Sequence, residues 1–374
     1  MPVFKAVFLL FIWSGVFAQG ERAGFQKVST ISIPLDSLHG IDFSNVYYIK
    51  RNGKPCLVAF DGRQSKLRFI DLKAGKNESA IDLSKIASQF RVDGFSYVND
   101  DSIFLYNYGR SVVQLVNAKG VSCGAYTVGK EALIDTIQNR YYFYPWPRVS
   151  SLNQIVKYGQ RIFMVGSVTG ESSNDFSDNR PVLTTLDLNN QKLAHWVSYL
   201  RSYAAANFGG MELRDVYSTS DGSRLYFSFP ISDTLVAFNL STSQTSFIVP
   251  TPRSNFVARS INVNKGVCVS PEVLRKRYDS SGAFEALHFD QYRKVFYRFF
   301  KHGIEQEVVK PVSIVGYGGY TIQVYDMDFH LLGTSERLFG YLPSISFIDE
   351  NGLHILRVSV GDPVVLFDCF RFRE

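Results

Sequence analysis

The fold of this chain is decided by a pattern that is clearest in residues 221–240, DGSRLYFSFPISDTLVAFNL. Asp221-Gly222 introduces one apolar segment, a short polar turn follows, and a second apolar segment reaches Asn239. Asx-Gly beside alternating apolar residues is a strong hairpin signal, because the turn requires positive φ angles. The second segment, with its final Asp or Asn, recurs at Arg68–Leu72, Gln114–Asn117, Thr185–Leu188, Gln323–Asp326 and Val365–Asp368. Self-similarity at about 40–50 residues per four-stranded unit is typical of a β-propeller.

Six such repeats follow Pro55, and they predict an all-β fold: a single six-bladed β-propeller with short helical insertions. The repeats span Cys56–Leu72, Ser102–Val128, Arg161–Leu188, Leu225–Leu240, Phe284–Asp326 and Ser344–Phe370. An open ring would leave unpaired strand edges, so we expect the leading segment Val28–Ile33 to pair into the last blade. No linker rich in Pro, Gly or Ser divides the repeats, and residues 19–374 are predicted to form one domain.

Two segments between the repeats are predicted to be helical. His195–Phe208 places four large apolar residues at helical spacing and stops before Gly209-Gly210. Ser270-Pro271-Glu272 supplies an N-cap, a proline at the first helical position and an acid in the first turn, for a short helix that ends near Tyr278.

The first eighteen residues, Met1–Ala18, are predicted to be a signal peptide. Lys5 provides the positive charge, Ala6–Trp13 is apolar, and Val16-Phe17-Ala18 is a suitable cleavage site. The apolar run is shorter than the about 20 residues that span a bilayer. A lipoprotein would carry a cysteine directly after the cleavage site, whereas the first cysteine is Cys56. We therefore expect an exported protein, periplasmic or extracellular, with neither a lipid anchor nor a transmembrane segment.

The composition is that of a globular protein with a large core. Hydrophobic residues make up 45% of the chain, charged residues 20% and aromatic residues 15%. The formal net charge is +6, which becomes +5 when Lys5 is removed with the signal peptide. Much of the excess lies in Arg275-Lys276-Arg277 and in Arg293, Lys294 and Arg298, which we interpret as a basic, solvated surface. Export argues against nucleic acid as a partner.

Four cysteines, Cys56, Cys123, Cys268 and Cys369, would allow two disulfides in three connectivities. The chain has no C-x-x-C pair, and a core of this size does not need disulfides. We predict free thiols, buried inside strands. Cys56 and Cys369 are the one pair that ring closure would bring together.

The familiar catalytic motifs are absent: the sequence has no HExxH, GxSxG, P-loop or GxGxxG. Its histidines lack metal-ligand spacing; they are His39, His195, His288, His302, His330 and His354. A propeller can still bring scattered side chains together at its central channel, because each blade contributes its innermost strand there. The sequence by itself therefore predicts no catalytic residue and no metal ligand.

The segment Tyr141–Arg148, YYFYPWPR, is the most conspicuous candidate for binding. Flat aromatic faces beside an arginine suit a sugar ring or a partner protein. The alternative is an aromatic strand buried between blades. The predicted contacts are Tyr142, Tyr144, Trp146 and Arg148, with Arg275 and Arg277 as a second patch.

Two acidic segments offer alternative interpretations. One loop carries oxygen donors that could hold Ca²⁺, namely Glu171, Asn174, Asp175, Asp178 and Asn179. It lacks the glycine and the terminal glutamate of an EF-hand, so a solvated loop is the alternative. Asp326-Met327-Asp328 has the form DxD, but it follows a strand and we predict a turn.

The C-terminal third contains short motifs in a distinctive order. They are Ala258-Arg259-Ser260, His288-Phe289-Asp290, Val295–Arg298, Gln323–Phe329, Leu332-Gly333 and Asn351–Ile355. This order resembles the domain-of-unknown-function 4221 family of exported bacterial propeller-like proteins. The resemblance implies a six-bladed propeller over nearly all of the mature chain and transfers no catalytic residues. Many members look like lipoproteins, and this chain departs from them by lacking the lipidated cysteine.

Two classes of function are compatible with these observations. The leading hypothesis is a non-enzymatic, monomeric binding module of the cell envelope that recognises a glycan or an envelope protein on one rim. The alternative is a propeller enzyme of lactonase or lyase type, with a metal ion or a polar cluster in the central channel. That enzyme would need side chains such as His288, His354, Asp290 and Asp326 to meet in the channel.

Overall fold

The computed structural model is a ring of six blades, each an antiparallel sheet, as the repeats predict. It describes residues 24–34, 41–129, 133–135, 140–142, 145–167, 180–205, 208, 213–252, 256–258, 260, 270–304, 319–358 and 363–373. Within these residues no helix is both long and apolar enough to cross a membrane.

The first half of the ring follows the chain in order. Strand β1 (Gly24–Pro34) comes first and is followed by blade 1, which contains β2 (Ile41–Arg51), β3 (Lys54–Asp61), β4 (Lys66–Asp71) and β5 (Lys76–Asp82). Helix α1 (Ser84–Ala87) precedes blade 2, with β6 (Gly94–Asn99), β7 (Ser102–Asn107), β8 (Val112–Val116) and β9 (Ser122–Thr127). A separate hairpin of β10 (Leu133–Asp135) and β11 (Arg140–Tyr142) precedes blade 3, with β12 (Trp146–Pro147), β13 (Val156–Tyr158), β14 (Arg161–Ser167), β15 (Pro181–Asp187) and β16 (Leu193–Ser198).

The second half of the ring contains helices α2 and α3 between its blades. Helix α2 (Arg201–Ala205) precedes blade 4, with β17 (Tyr217–Ser220), β18 (Arg224–Ser228), β19 (Leu235–Asn239) and β20 (Thr245–Ile248). Helix α3 (Pro271–Ser280) precedes blade 5, with β21 (Ala283–Asp290), β22 (Val295–Lys301), β23 (Tyr320–Tyr325) and β24 (Leu331–Thr334). Blade 6 contains β25 (Tyr341–Ile348), β26 (Leu353–Arg357), β27 (Val364–Arg373) and the returning β1.

The ring closes through the pairing of β1 with β27. The two strands run antiparallel, from Gly24 opposite Arg373 to Pro34 opposite Val364. The prediction that the leading strand completes the last blade is therefore confirmed.

The core is divided among the blade interfaces. The described residues form six buried apolar clusters, and each lies mainly between two neighbouring blades. Phe347 of β25, for example, packs with Leu57 of β3 between blades 6 and 1. Because each sheet buries both faces against its neighbours, the strands read as continuous apolar runs in the sequence.

Five of the six recurring Asp or Asn residues close the turn after the third strand of their blades. Oδ1 of Asp71, Asp187 and Asn239 accepts hydrogen bonds from the N–H groups two and three residues later. Asn117 and Asp326 bind the N–H groups two and four residues later. Such side chains imitate a backbone turn, and the predicted turn at Asp326 is confirmed.

The sixth member of the series, Asp368, has a different environment. It lies inside β27, because this strand continues to Arg373 in order to pair with β1. Its buried carboxylate accepts hydrogen bonds from Thr30 Oγ1 at 2.7 Å and from Tyr341 Oη at 2.7 Å, and Lys27 Nζ lies 2.9 Å away. Asp368 thus joins the first strand to the last blade.

One of the two predicted helices is correct and the other is largely wrong. Ser270 Oγ caps α3 by accepting a hydrogen bond from Val273 N, and the helix continues two residues past Tyr278. The predicted helix His195–Phe208 is instead strand β16 followed by the single turn of α2. The pairing of β16 with β15 supplies the fourth strand of blade 3 and overrides the helical spacing.

Several predictions about individual side chains need correction. Cys56 and Cys369 are buried free thiols as predicted, but Cys123 is exposed on β9, and Cys268 lies outside the described residues. Cys56 and Cys369 are not bonded, because Cys56 shares the face of β3 with Val58 towards blade 2, whereas Cys369 belongs to blade 6. Arg298 is not on a solvated surface: it is fully buried, 3.5 Å from the centre of the Phe284 ring.

Candidate functional site

The centre of the ring is occupied by a loop, residues 148–155, which we call the plug. It leaves β12 and returns in β13, and both of these strands pair with β14. Reciprocal backbone hydrogen bonds between Ser150 and Asn153 form its turn. The innermost strand of blade 3 is therefore interrupted, and the interruption extends into the channel.

The plug contacts each of the five other blades. Ser151 Oγ accepts a hydrogen bond from Val46 N of blade 1 at 3.0 Å. Ile155 N donates to Ser96 Oγ of blade 2 at 2.7 Å. Asn153 Nδ2 donates to the carbonyl oxygen of Val216, just before blade 4, at 2.8 Å. Leu152 packs in the apolar cluster between blades 5 and 6. The plug consequently divides the channel into two separate cavities.

The lower cavity lies where the innermost strands end and has a volume of about 390 Å³. Its wall combines hydroxyl, amide and aromatic side chains. The hydroxyl and amide residues are Ser151, Gln154, Ser218, Thr219, Ser220, Gln291 and Ser346, and the aromatic residues are Tyr47, Tyr48, Phe289, Tyr292 and Phe347. The volume lies within the range of small-molecule sites, about 300–1,000 Å³.

Hydrogen bonds between neighbouring blades fix the wall of the lower cavity. Ser218 Oγ donates to Asn153 Oδ1 at 3.0 Å, and Thr219 Oγ1 accepts from Phe289 N at 3.0 Å. His288 Nε2 lies 2.7 Å from Ser346 Oγ, which joins blades 5 and 6. Burial lowers the pKa of His288 to about 4, so its imidazole is neutral at pH 7.

The charges around the lower cavity are few. Asp221 is committed to its turn, because its carboxylate accepts hydrogen bonds from Ser223 N and Arg224 N at 2.7 Å each. Burial opposes ionisation of Asp221, but these hydrogen bonds outweigh it and hold its pKa below the usual value. The ammonium group of Lys294 is exposed and lies 5.6 Å from the centre of the Phe289 ring. Lys294 is thus the cationic group in the described wall at neutral pH.

The residues that the enzyme hypothesis needs do not converge. Of the four, only His288 lines the lower cavity. His354 Nε2 lies 2.8 Å from Asp349 Oδ1 inside blade 6, and Asp290 binds Arg293 at 2.8 Å. Asp326 binds His330 at 2.9 Å at the periphery. Each side chain has its own local partner, so the described residues form no shared polar cluster of this kind in the channel.

One group of side chains has the composition of a metal site. Asp349, His354 and Cys369 are buried, and one possible ligand atom from each lies within 4.8 Å of the others. Asp349, however, holds the hairpin turn through Gly352 N, much as Asp221 holds the corresponding turn in blade 4. Burial also raises the pKa of the Cys369 thiol to about 11. We therefore interpret this group as part of the turn.

The upper cavity lies on the other side of the plug, where the innermost strands begin, and has a volume of about 340 Å³. Blade 2 contributes Asp93 and Tyr108, the plug contributes Arg148, and blade 4 with its leading segment contributes Asp215 and Tyr217. Arg148 Nη2 lies 3.5 Å from Asp215 Oδ1, and Arg148 Nε donates to Ser167 Oγ at 3.0 Å.

The structure separates the two predicted binding patches. Arg148 lines the upper cavity, while Tyr142 and Trp146 are described only by their backbone in β11 and β12. Tyr144 and the proposed calcium loop, residues 171–179, lie outside the described residues. Arg275 and Arg277 lie on α3, where Arg275 is 4.0 Å from Asp279 and Arg277 donates to the carbonyl oxygen of Ser260.

Apart from His288, sequence reasoning missed the side chains of the lower cavity. They lie largely on innermost strands such as β2 and β17, which the repeat pattern did not identify. The signal was present but weak: all four residues of the strand Tyr217-Ser218-Thr219-Ser220 carry a hydroxyl group. A polar strand that faces a channel has the alternation of an exposed strand, so sequence alone does not distinguish the two.

Three solved structures are similar to this chain to different degrees. A member of the DUF4221 family from Bacteroides vulgatus aligns with 95% of this chain and 100% of its own, at 16% identity and a TM-score of 0.70. A candidate exported protein from Bacteroides fragilis aligns at 10% identity, with 95% and 97% coverage and a TM-score of 0.45. Regucalcin from Agrobacterium tumefaciens, a calcium-binding protein, aligns at 10% identity, with 93% and 96% coverage and a TM-score of 0.43.

The family itself is shown by a sequence model. No curated protein matches the chain. The model of the family described as Domain of unknown function (DUF4221) matches residues 28–336, from β1 to just beyond β24. The match ends before the Asn351–Ile355 motif, although the structural likeness continues through blade 6. Since the matched region covers well over half of the chain, this protein belongs to the DUF4221 family.

Proposed function

We propose that this protein is an exported binding module that holds a small, hydroxyl-rich ligand, such as the terminal sugars of a glycan, in the lower cavity. The observation that carries the proposal is the wall of this cavity, where hydroxyl and amide groups and aromatic rings together enclose about 390 Å³. A concave site with a few fixed polar groups is the usual form of a small-molecule site. The inter-blade hydrogen bonds keep that wall formed without a ligand.

The aromatic residues supply the apolar part of such a site. The rings of Tyr48 and Phe347 are stacked, with their centres 5.8 Å apart, and Tyr292 is partly exposed beside the cavity. Aromatic faces bury the C–H surface of a sugar, while neighbouring amides such as Gln154 and Gln291 can exchange hydrogen bonds with its hydroxyls.

Charge narrows the ligand class. Lys294 carries a positive charge. The carboxylate of Asp221 is committed to its turn, and the imidazole of His288 is neutral. The lower cavity should therefore prefer neutral or acidic sugars over amino sugars, because a cationic ligand would meet Lys294 without an available counter-charge.

The location of the protein is also a proposal. Met1–Ala18 supports export to the periplasm or beyond, and a glycan of the envelope or the medium would be accessible there.

We propose that the module acts as a monomer and does not bind nucleic acid. Tyr142, Tyr144 and Trp146 remain proposed contacts for a partner, as do Arg275 and Arg277. Calcium in the loop of residues 171–179 likewise remains a proposal.

The experiment is a calorimetric titration of residues 19–374 with neutral and acidic mono- and disaccharides. We expect Tyr292→Ala to weaken the binding of the best ligand roughly tenfold, as for a central aromatic contact. Gln291→Ala should weaken it about fivefold. Phe247→Ala is the matched control, because Phe247 is 70% exposed on the outer strand β20.

Two outcomes would count against the proposal. One is the absence of binding by every sugar in the panel. The other is a loss of affinity in Phe247→Ala as large as in Tyr292→Ala, which would place the site on the outside of blade 4.

A further inference from the structure

We infer that the upper cavity is a second binding site, and that it takes an organic cation with a protonated amine. This site is separated from the lower cavity by the plug, so it does not depend on the sugar-binding proposal. The inference is based on the charges, the aromatic residues and one buried hydroxyl in the wall.

The described wall carries more negative than positive charge. Asp93 and Asp215 contribute two carboxylates from opposite sides of the plug, against the single guanidinium of Arg148. Arg148 is already engaged with Asp215 at 3.5 Å and with Ser167 at 3.0 Å. The other ion pair of the wall, from Arg91 to Asp93 at 2.7 Å, uses an arginine whose side chain is 85% exposed. Solvent weakens such a pair, so Asp93 keeps most of its attraction for a bound cation.

A buried hydroxyl points independently to a ligand. Tyr106 forms part of the wall and is only 2% exposed, yet its Oη has no hydrogen-bond partner within the described structure. A buried polar atom without a partner is energetically unfavourable, and such atoms are rare in folded proteins. A donor group of a ligand would satisfy the Tyr106 oxygen.

The aromatic residues complete the set of contacts. Tyr106, Tyr108 and Tyr217 all line the cavity. An ammonium group is attracted to the faces of such rings and can also donate hydrogen bonds to a carboxylate and to a phenol oxygen. Among the described lining residues, an anion would gain only the cation of Arg148, whose bonds to Ser167 and Asp215 it would have to replace. The carboxylates, the Tyr106 oxygen and the aromatic rings of the upper cavity therefore together favour a protonated amine as the ligand.

The test uses two probes of the same size and opposite charge, n-butylammonium and butyrate, titrated into residues 19–374. We expect n-butylammonium to bind and to raise the Tm, and butyrate to do neither. Tyr106→Phe should weaken amine binding roughly tenfold, because a hydrogen bond from a charged donor is lost. The same change should leave the Tm of the ligand-free protein equal or higher, since it removes an unsatisfied buried group.

Controls separate this site from the rest of the molecule. Tyr158→Phe is the matched substitution, because Tyr158 is a partly exposed tyrosine on β13 that does not line the cavity. It should leave the affinity for the amine unchanged, as should Tyr292→Ala in the lower cavity. Asp93→Asn should weaken amine binding. Equal binding of butyrate and n-butylammonium would overturn the inference, and so would unchanged amine affinity in Tyr106→Phe.

Discussion

Asp368 and the five turn residues such as Asp187 occupy the same position in the repeat and have different structural roles. Asp187 binds backbone N–H groups two and three residues away, whereas Asp368 binds Thr30, 338 residues away in sequence. The difference arises because β27 must extend beyond the usual strand end to receive β1. A residue that recurs in each blade of a closed ring can therefore hold a local turn in five blades and join the two ends of the chain in the sixth.

The largest expected effect comes from removing the closure contact. Asp368→Ala leaves Tyr341, Thr30 and Lys27 without their shared acceptor, and we expect the free energy of unfolding to fall by about 3 kcal/mol. Chemical denaturation at neutral pH would measure it. The control is Lys27→Ala, because the Lys27 side chain is 40% exposed and such pairs contribute at most about 1 kcal/mol. Equal losses in the two variants would show that closure does not depend on the carboxylate.

The same contact should be sensitive to acid. Burial opposes ionisation of Asp368, but the hydrogen bonds from Lys27, Thr30 and Tyr341 outweigh it and hold its pKa below the usual value. The stabilisation is therefore complete above about pH 4, the usual pKa of an unfolded aspartate, and is lost as the pH falls through the lower folded-state pKa. The difference in stability between the wild type and Asp368→Ala should narrow as the pH falls below about 4, towards the acid-unfolding range. A difference that grows on acidification would contradict this assignment.

The residue after Asp368 gives a smaller effect. Cys369→Ser places a hydroxyl where the structure has a fully buried thiol, and we expect a loss of about 1–2 kcal/mol. Cys123→Ser is the matched control, because Cys123 is exposed and its replacement should change stability by less than about 0.5 kcal/mol. Thermal unfolding of both variants would measure these effects. Comparable losses would mean that the two thiols have similar environments, contrary to the structure.

The smallest effect is expected at a turn. Asp187→Ala removes two local hydrogen bonds at a site close to solvent, and its cost should be about 1 kcal/mol. Hydrogen exchange would then show increased exchange in the β15–β16 hairpin, with β1 and β27 unchanged. Increased exchange of β1 would indicate that this turn also supports ring closure.

The architecture could be predicted from the sequence because its signals are local and repeated. Apolar segments with a final Asp or Asn gave the number of blades, and the segment Val28–Ile33 gave the closing strand. The helix predicted at His195–Phe208 failed because its spacing is helical, while blade 3 required the same residues as a fourth strand.

The candidate sites could be predicted only in part. Arg148 was identified, and it lines the upper cavity. Its neighbours Asp93 and Asp215 have no distinguishing local sequence, and they meet only because two blades flank the plug. The orphan hydroxyl of Tyr106 cannot be recognised from sequence at all, since tyrosine in an apolar strand is ordinary.

The pairing of β1 with β27 also sets the order in which the molecule can assemble. Blades 1 to 5 are each built from consecutive segments, so they can form in turn as the chain becomes available. Blade 6 cannot be completed until both ends of the ring are present, because its outer strand is β1 and its other three strands come last. Contacts between residues so distant in sequence make folding slow. The exposed faces of blades 1 and 5 should therefore persist until the final step, and this late intermediate is the one in which association with other chains is most favoured.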